Sequence, residues 1–274
     1  MMKRSIPTFV LVLVPSLLLA LSACNETTGQ PVISFTGQAG GIAGVAPSVP
    51  FLTGSGYAVT LTTAHFHMGA VYLNQYNPES GAGSTPCVLD GIYVAEVFGP
   101  LDLDLLSSEM VAFPQPGTGT EALAHTAQIF LLEGDINDPG SSEPVLELAG
   151  TAQKGITQWP FTATVTIGAN RLPQVTDVSA PGANPICAER IVTPIIPVGG
   201  AITPTNGGQL SVHIDVRHML DGVDFVYLTD GISPTPAPPY VIPDQIGTTV
   251  SDQLFSGLRS EANVYAISYD QGTN

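Results

Sequence analysis

The sequence predicts an all-β fold, an antiparallel β-sandwich with long Pro/Gly-rich loops and at most one or two short helices. Three observations point there. Several segments alternate apolar and polar residues with period 2, most cleanly Phe161, Ala163, Val165 and Ile167 against Thr162, Thr164 and Thr166; this is the pattern of a strand with one buried face. Between such segments lie 29 glycines and 24 prolines, which supply turns. Charged residues are 11% of the chain against 44% apolar, a balance that packs a core and does not suit disorder.

Tyr57 to Leu73 is the first strand pattern, with Tyr57, Val59 and Leu61 alternating against Ala58, Thr60 and Thr62. Phe66 and Met68 then fall on the opposite parity, so a bulge near residues 62–64 would restore one buried face and send His65 and His67 outward together. Val71 and Leu73 return to the first parity, and the sequence leaves both arrangements open. Ile92 to Phe98 reads as a strand, followed by Leu101, Leu103 and Leu105 alternating with Asp102 and Asp104; residues 107–124 read as a loop. His125 to Leu132 reads as a strand, and Val145 to Ala152 and Trp159 to Ile167 flank a short Lys154-Gly155 turn as a hairpin. A Pro/Gly-rich passage fills 171–208, and Leu210 to Val216 is a strand with His213 and Asp215 outward. Arg217 to Gly222 makes a tight turn or one helical turn before Val223 to Leu228. Pro234 to Pro243 reads as an extended surface loop, since proline does not suit a sheet interior. Ser251 to Leu258 is the one helix, capped by Ser251, and Asn263 to Tyr269 is the last strand. No internal repeat is present.

At the front, Lys3 and Arg4 precede the apolar run Ile6 to Ala20, which ends in Leu21-Ser22-Ala23-Cys24. A short positive region, an apolar core too short to span a bilayer and small residues before a cysteine resemble the signal peptide and lipobox of bacterial lipoprotein precursors. The resemblance implies cleavage before Cys24, a diacylglyceryl thioether on Cys24 and acylation of its new amino group. It implies three parts: a signal peptide at 1–23, a lipidated cysteine with a flexible tether at 24–55 and a single β-sandwich domain at 56–274. The tether is rich in Gly, Ala, Pro and Thr, and about 30 flexible residues reach roughly 30 Å; Pro31-Val32-Ile33-Ser34-Phe35 pairing as an edge strand would shorten that reach. Asn25 follows the cysteine where an Asp retains some lipoproteins in the inner membrane, so the expected address is the cell envelope, at the outer membrane.

The formal net charge is -16. Once the signal leaves, only Lys154, Arg171, Arg190, Arg217 and Arg259 remain as cations. That excludes a nucleic-acid binder, which needs clustered cations to meet phosphates. It also leaves the lipid as the only membrane attachment, because an acidic domain is repelled by an anionic surface. With Cys24 lipidated in an oxidising compartment, Cys87 and Cys187 are expected to pair as a disulfide; two free thiols are the competing reading.

His65-Phe66-His67-Met68 carries the most specific chemistry. On a strand, residues i and i+2 share a face, so both imidazoles can reach one ion. His213 is the expected third ligand, oriented by Asp215 as an outer carboxylate orients a ligating imidazole, with His125 and His218 in reserve. Imidazoles suit copper or zinc, and a thioether from Met68 or Met219 would favour copper. Against this stands the reading of ordinary hydrogen-bonded histidines. Glu133, Asp135, Asn137 and Asp138 form an acidic loop with a partial calcium pattern, but Pro139 replaces an oxygen ligand and Leu146 the closing Glu, so a polar turn fits better. Asp102 and Asp104 share a strand face, read as solvated. Trp159 and Tyr57, with Tyr72, Tyr76 and Tyr93, could line a sugar- or peptide-binding face, although strand parity sends Trp159 to the core. No nucleophile elbow, phosphate loop or dinucleotide motif is present.

The sequence therefore reads as a lipid-anchored envelope lipoprotein with a non-enzymatic binding or scaffolding role, binding copper or zinc through His65, His67 and His213. The alternatives are a glycan- or protein-recognition module without metal and a hydrolase whose site no motif reveals.

Overall fold

The stretch after Tyr57 decides how the molecule is built. In the computed structural model, which describes residues 31–77, 79–80, 89–90, 92–133, 136–138, 140, 143–172, 186–229 and 237–272, the strand Ala58–Met68 carries a bulge at Thr62. Thr63 pairs with Ala149 and Leu61 with Gly150, leaving Thr62 without an opposite number. Parity flips there, so Leu61, Ala64, Phe66 and Met68 are all buried while His65 stays exposed. Parity flips again at Gly69-Ala70, where the Gly69 N–H donates to the Phe130 carbonyl (2.8 Å) and Phe130 N–H to the Ala70 carbonyl (2.9 Å). Val71–Asn74 then continues in a second sheet. One continuous stretch of chain thus belongs to both sheets, and both parities of the sequence are real.

The first sheet runs Ile191–Ile195, Thr126–Phe130, Val71–Asn74, Tyr93–Val97, Gly117–Thr120, Val32–Gly41, Gln209–Ile214 and Tyr265–Asp270, with Val111–Ala112 also beside Val32–Gly41. Its edges approach each other where Val198 N–H donates to the Ile267 carbonyl (2.7 Å), so it is a nearly closed mixed barrel. The second sheet runs Tyr240–Ile242, Thr157–Thr166, Pro144–Lys154, Ala58–Met68 and Phe51–Leu52, with Leu101–Asp104 also on Ala58–Met68. A small third pair joins Glu79–Ser80 to Leu89–Asp90. The expected hairpin is present: Lys154 pairs with Thr157 across Gly155-Ile156, and Gly155 takes φ +63 as the first central residue of a two-residue turn. Apolar residues of both sheets form one core; Phe66 meets Tyr265 with ring centroids 6.4 Å apart, and Trp159 lies edge-on to Tyr57 at 5.5 Å.

The fold is mainly β, as expected, but the sheets are mixed where purely antiparallel ones were expected. Val32–Gly41 runs parallel to Gln209–Ile214, and Thr157–Thr166 runs parallel to Tyr240–Ile242. Residues 32–41, read as tether, are an inner strand of the barrel: small residues there admit close neighbours, and Ile33 and Phe35 are buried. Residues 107–124, read as loop, hold Val111–Ala112 and Gly117–Thr120. Gly117 is opposite Phe35, and a Cβ on it would come within 2.3 Å of the Phe35 ring, so glycine here marks a packing need and not a turn. Residues 240–242 join a sheet edge despite the prolines before them. Three helices occur among the described residues, Ile186–Glu189, Val216–Met219 and Thr249–Leu258. The last is preceded by Thr248, not capped by Ser251; Ser251 is buried and accepts from Arg171 Nη1 at 3.0 Å.

Candidate functional site: an acidic groove over two histidines

The bulge at Thr62 presents His65 and His67 on the outer face of the second sheet. Cross-strand pairing then sets their company. His65 is opposite Asp104 on one side and Glu147 on the other, and His67 is opposite Asp102. Residues directly opposite on one face are close enough to interact. His67 Nδ1 lies 2.6 Å from Asp102 Oδ1, with Asp102 almost fully in solvent. Asp104 accepts from the Leu106 N–H at 3.0 Å, which fixes its carboxylate at the end of its strand. Glu133 and Glu143 complete an open groove of about 1000 Å³. Five carboxylates and two imidazoles line it, and among the described residues no lysine, arginine, serine, threonine or cysteine does.

The cations are elsewhere, engaged within the fold. Buried Arg171 pairs with Asp244 and Ser251; burial draws its pKa down while Asp244 opposes that. Arg190 has no exposed surface, and its Nε donates to the Ile167 carbonyl at 2.8 Å. Arg259 Nη1 meets Glu189 Oε2 at 2.5 Å. Arg217 meets Asp215 twice, at 2.9 and 2.7 Å, and that hydrogen-bonded pairing holds its guanidinium pKa above the ordinary value. Lys154 Nζ donates to the Ser55 carbonyl at 3.0 Å.

The expected triad of His65, His67 and His213 is not assembled. His213 belongs to the barrel, between Gly40 and Ala266, and no three His, Cys, Asp or Glu side chains form a metal-holding group among the described residues. Asp215 does not orient His213. It caps the helix Val216–Met219 and binds Arg217. His218 Nδ1 is 2.6 Å from Asp221 Oδ2, and the His125 ring stacks on Tyr76 with centroids 6.4 Å apart. Met68 and Met219 are fully buried. Asp138 Oδ1 accepts from Gly140 N–H at 2.8 Å in a local turn, while Asp135 and Pro139 of the acidic loop lie outside the described residues. Cys24 and Cys87 also lie outside them; Cys187 is buried and is not a free thiol.

Sequence reasoning placed Asp102 and Asp104 on the outer face but did not bring Glu147 and Glu143 to the same place. The signal was there: Glu147 sits between inward Leu146 and Leu148 on the hairpin strand. Searches of family models, curated protein sequences and solved structures found no match to this chain.

Proposed function

We propose that this protein is a lipid-anchored lipoprotein of the bacterial envelope, at the outer membrane, and that its work is binding and not catalysis. The lipobox ending at Cys24 supports the anchor, and the same reading keeps Cys87 and Cys187 as a disulfide pair. The fold in this reading is a sandwich, the open sheet facing the barrel across the shared core.

The observation that carries the binding role is the groove: five carboxylates converge on His65 and His67 with no cation among them. Carboxylates gathered on one face repel one another unless something positive joins them, so the ligand that fits is cationic. The copper or zinc expected from the sequence fits in a narrower form, with His65 and His67 as nitrogen donors and Asp104 and Glu147, which flank His65, as oxygen donors in place of His213. Because no three of these groups stand ready together, coordination requires side-chain closure around the ion.

The test is titration of the full chain, purified in non-ionic detergent, with zinc and with copper, beside the His65→Ala/His67→Ala variant. The expected outcome is one saturable site in the parent chain that the double variant loses. Equal binding by both proteins removes the metal reading. Zinc binding lost only in Glu147→Gln/Asp104→Asn would move the site to the carboxylates and make the histidines bystanders.

A further inference from the structure

A second outer face, on the barrel, carries a separate inference. Tyr72, Glu96 and Thr118 are cross-strand neighbours on adjacent strands and share one face. Tyr72 is the hub of an aromatic cluster, with ring centroids 5.3 Å from Tyr93, 6.1 Å from Phe98 and 5.0 Å from Phe130. Tyr93 and Phe98 are each 45% exposed and both touch Tyr72, so the rings make one contiguous patch on the outer face. Glu96 is half-buried beside them, and its side chain has no hydrogen-bond or ion-pair partner among the described residues. Its charge reaches both tyrosines: after burial, Glu96 is the next cause holding the Tyr72 and Tyr93 hydroxyl pKa values above their ordinary value.

The molecule itself shows what completes such a group. The Arg171 guanidinium lies 4.6 Å over the Phe255 ring while it pairs with Asp244. Arg259 lies 5.6 Å from the same ring while it pairs with Glu189. Twice, then, this fold assembles an aromatic face, a carboxylate and an arginine. At Glu96 the aromatic face and the carboxylate are present, on the surface, and the arginine is not.

We propose that Tyr72, Tyr93, Phe98 and Glu96 form a docking face for an arginine-bearing segment of a partner protein, whose guanidinium stacks on the exposed rings and pairs with Glu96. The guanidinium suits this surface better than an ammonium, because it is planar, weakly hydrated and stacks on rings while pairing with a carboxylate. Among the described residues the surface is open strand and not an enclosed box, which favours a side chain delivered by a macromolecule over a small cation that must be surrounded. The chain's net charge of -16 draws basic partners towards it from a distance.

The test is calorimetric titration of the full chain in non-ionic detergent with a tetra-arginine peptide, with tetra-citrulline as the neutral isostere and tetra-lysine as the charge control. The parent protein should bind arginine most tightly, lysine more weakly and citrulline not measurably. Glu96→Gln and Phe98→Ala should each weaken arginine binding about fivefold or more. Glu147→Gln, in the histidine groove, should leave it unchanged, which separates this face from the groove and from general attraction to an acidic protein. Thermal melting of each variant checks that it folds, and Tyr93→Phe, which keeps the ring, should retain binding. The proposal is overturned if Glu96→Gln and Phe98→Ala bind as the parent does, if citrulline binds as well as arginine, or if Glu147→Gln weakens binding as much as Glu96→Gln.

Discussion

Asp244, Glu189 and Asp215 are each met by an arginine, at Arg171, Arg259 and Arg217, whereas Asp104, Glu133, Glu143 and Glu147 line one groove without a lysine or arginine beside them. The two regions draw on the same residue types and use them for opposite ends. Around the helix Thr249–Leu258, charge is placed to tie segments distant in sequence to one another: Arg171 to Asp244, Glu189 to Arg259. In the groove, Asp104 and Glu147 sit on strands already held by their ladders, and the carboxylates gathered there repel one another. A chain with only five lysines and arginines beyond residue 4, all of them engaged within the fold, has left its groove acidic. Groups that cost stability and persist at one place point to function.

The comparison breaks most easily at Arg190. Its side chain has no exposed surface and donates to the Ile167 carbonyl, also reaching the Ile136 carbonyl at 3.1 Å. Arg190→Ala leaves a cavity and strands carbonyls without donors, so the expected loss is about 3–5 kcal/mol in chemical denaturation. A loss under about 1 kcal/mol would mean that the buried arginines do not hold these segments together.

Next in size is Cys187, in the helix Ile186–Glu189 beside the Glu189–Arg259 pair. If it pairs with Cys87, a reductant should lower the stability of the parent chain by about 2–4 kcal/mol, and the Cys87→Ser/Cys187→Ser variant should show the lower stability with or without reductant. Mass spectrometry after alkylation under non-reducing conditions reports the pairing directly. Two alkylated thiols in the oxidised protein would remove it.

Much of the architecture is legible in the sequence where one face of a strand is buried and the other is not. Phe161 to Ile167, Leu101 to Asp104 and Leu210 to Ile214 are read from alternation alone, and the bulge at Thr62 was one of two arrangements that parity allowed. What could not be read is what contact requires and composition hides. Gly117-Thr118-Gly119-Thr120 looks like a turn, yet Phe35 lies over Gly117 and Ala95 crowds Gly119, so small residues make the strand possible. Residues 32–41 look like a tether for the same reason. The histidine pair was legible because i and i+2 share a face in any strand. Its third partner was not, because a face in sequence says nothing of which sheet the strand joins: His213 is outward, on the barrel. Glu147 reads as outward from its own strand, but its place opposite His65 comes from long-range pairing, which no local pattern encodes.

Tyr57 tests a third way of holding a carboxylate, with a neutral hydroxyl. Its hydroxyl donates to Asp224, and burial, then that hydrogen bond, push its pKa up to about 12. A phenol with a folded pKa above its unfolded value of about 10 holds its proton better when folded. Its contribution is therefore full below pH about 10 and is lost as pH rises through about 12. Tyr57→Phe should cost about 1.5–3 kcal/mol near neutral pH, the range for a hydrogen bond to a charged group. It should also flatten the fall of stability between pH about 10 and 12. An unchanged alkaline slope would assign that fall to other tyrosines, of which buried Tyr265 is raised furthest.

The smallest effect carries the opposite sign, and that sign is the test of the groove. Glu147 is exposed, faces His65 across the strand pair and pairs with no cation among the described residues. At pH about 8, Glu147→Gln removes one of five like charges from the groove. It should raise stability by about 0.2–0.5 kcal/mol, and the gain should fade in about 1 M salt, where the screening length is about 3 Å. The same substitution should weaken cation binding at the groove. A variant that is more stable and binds less well is what a site maintained against the interest of the fold predicts. A variant less stable than the parent would put Glu147 with Asp244 and Glu189, among the carboxylates that tie segments together.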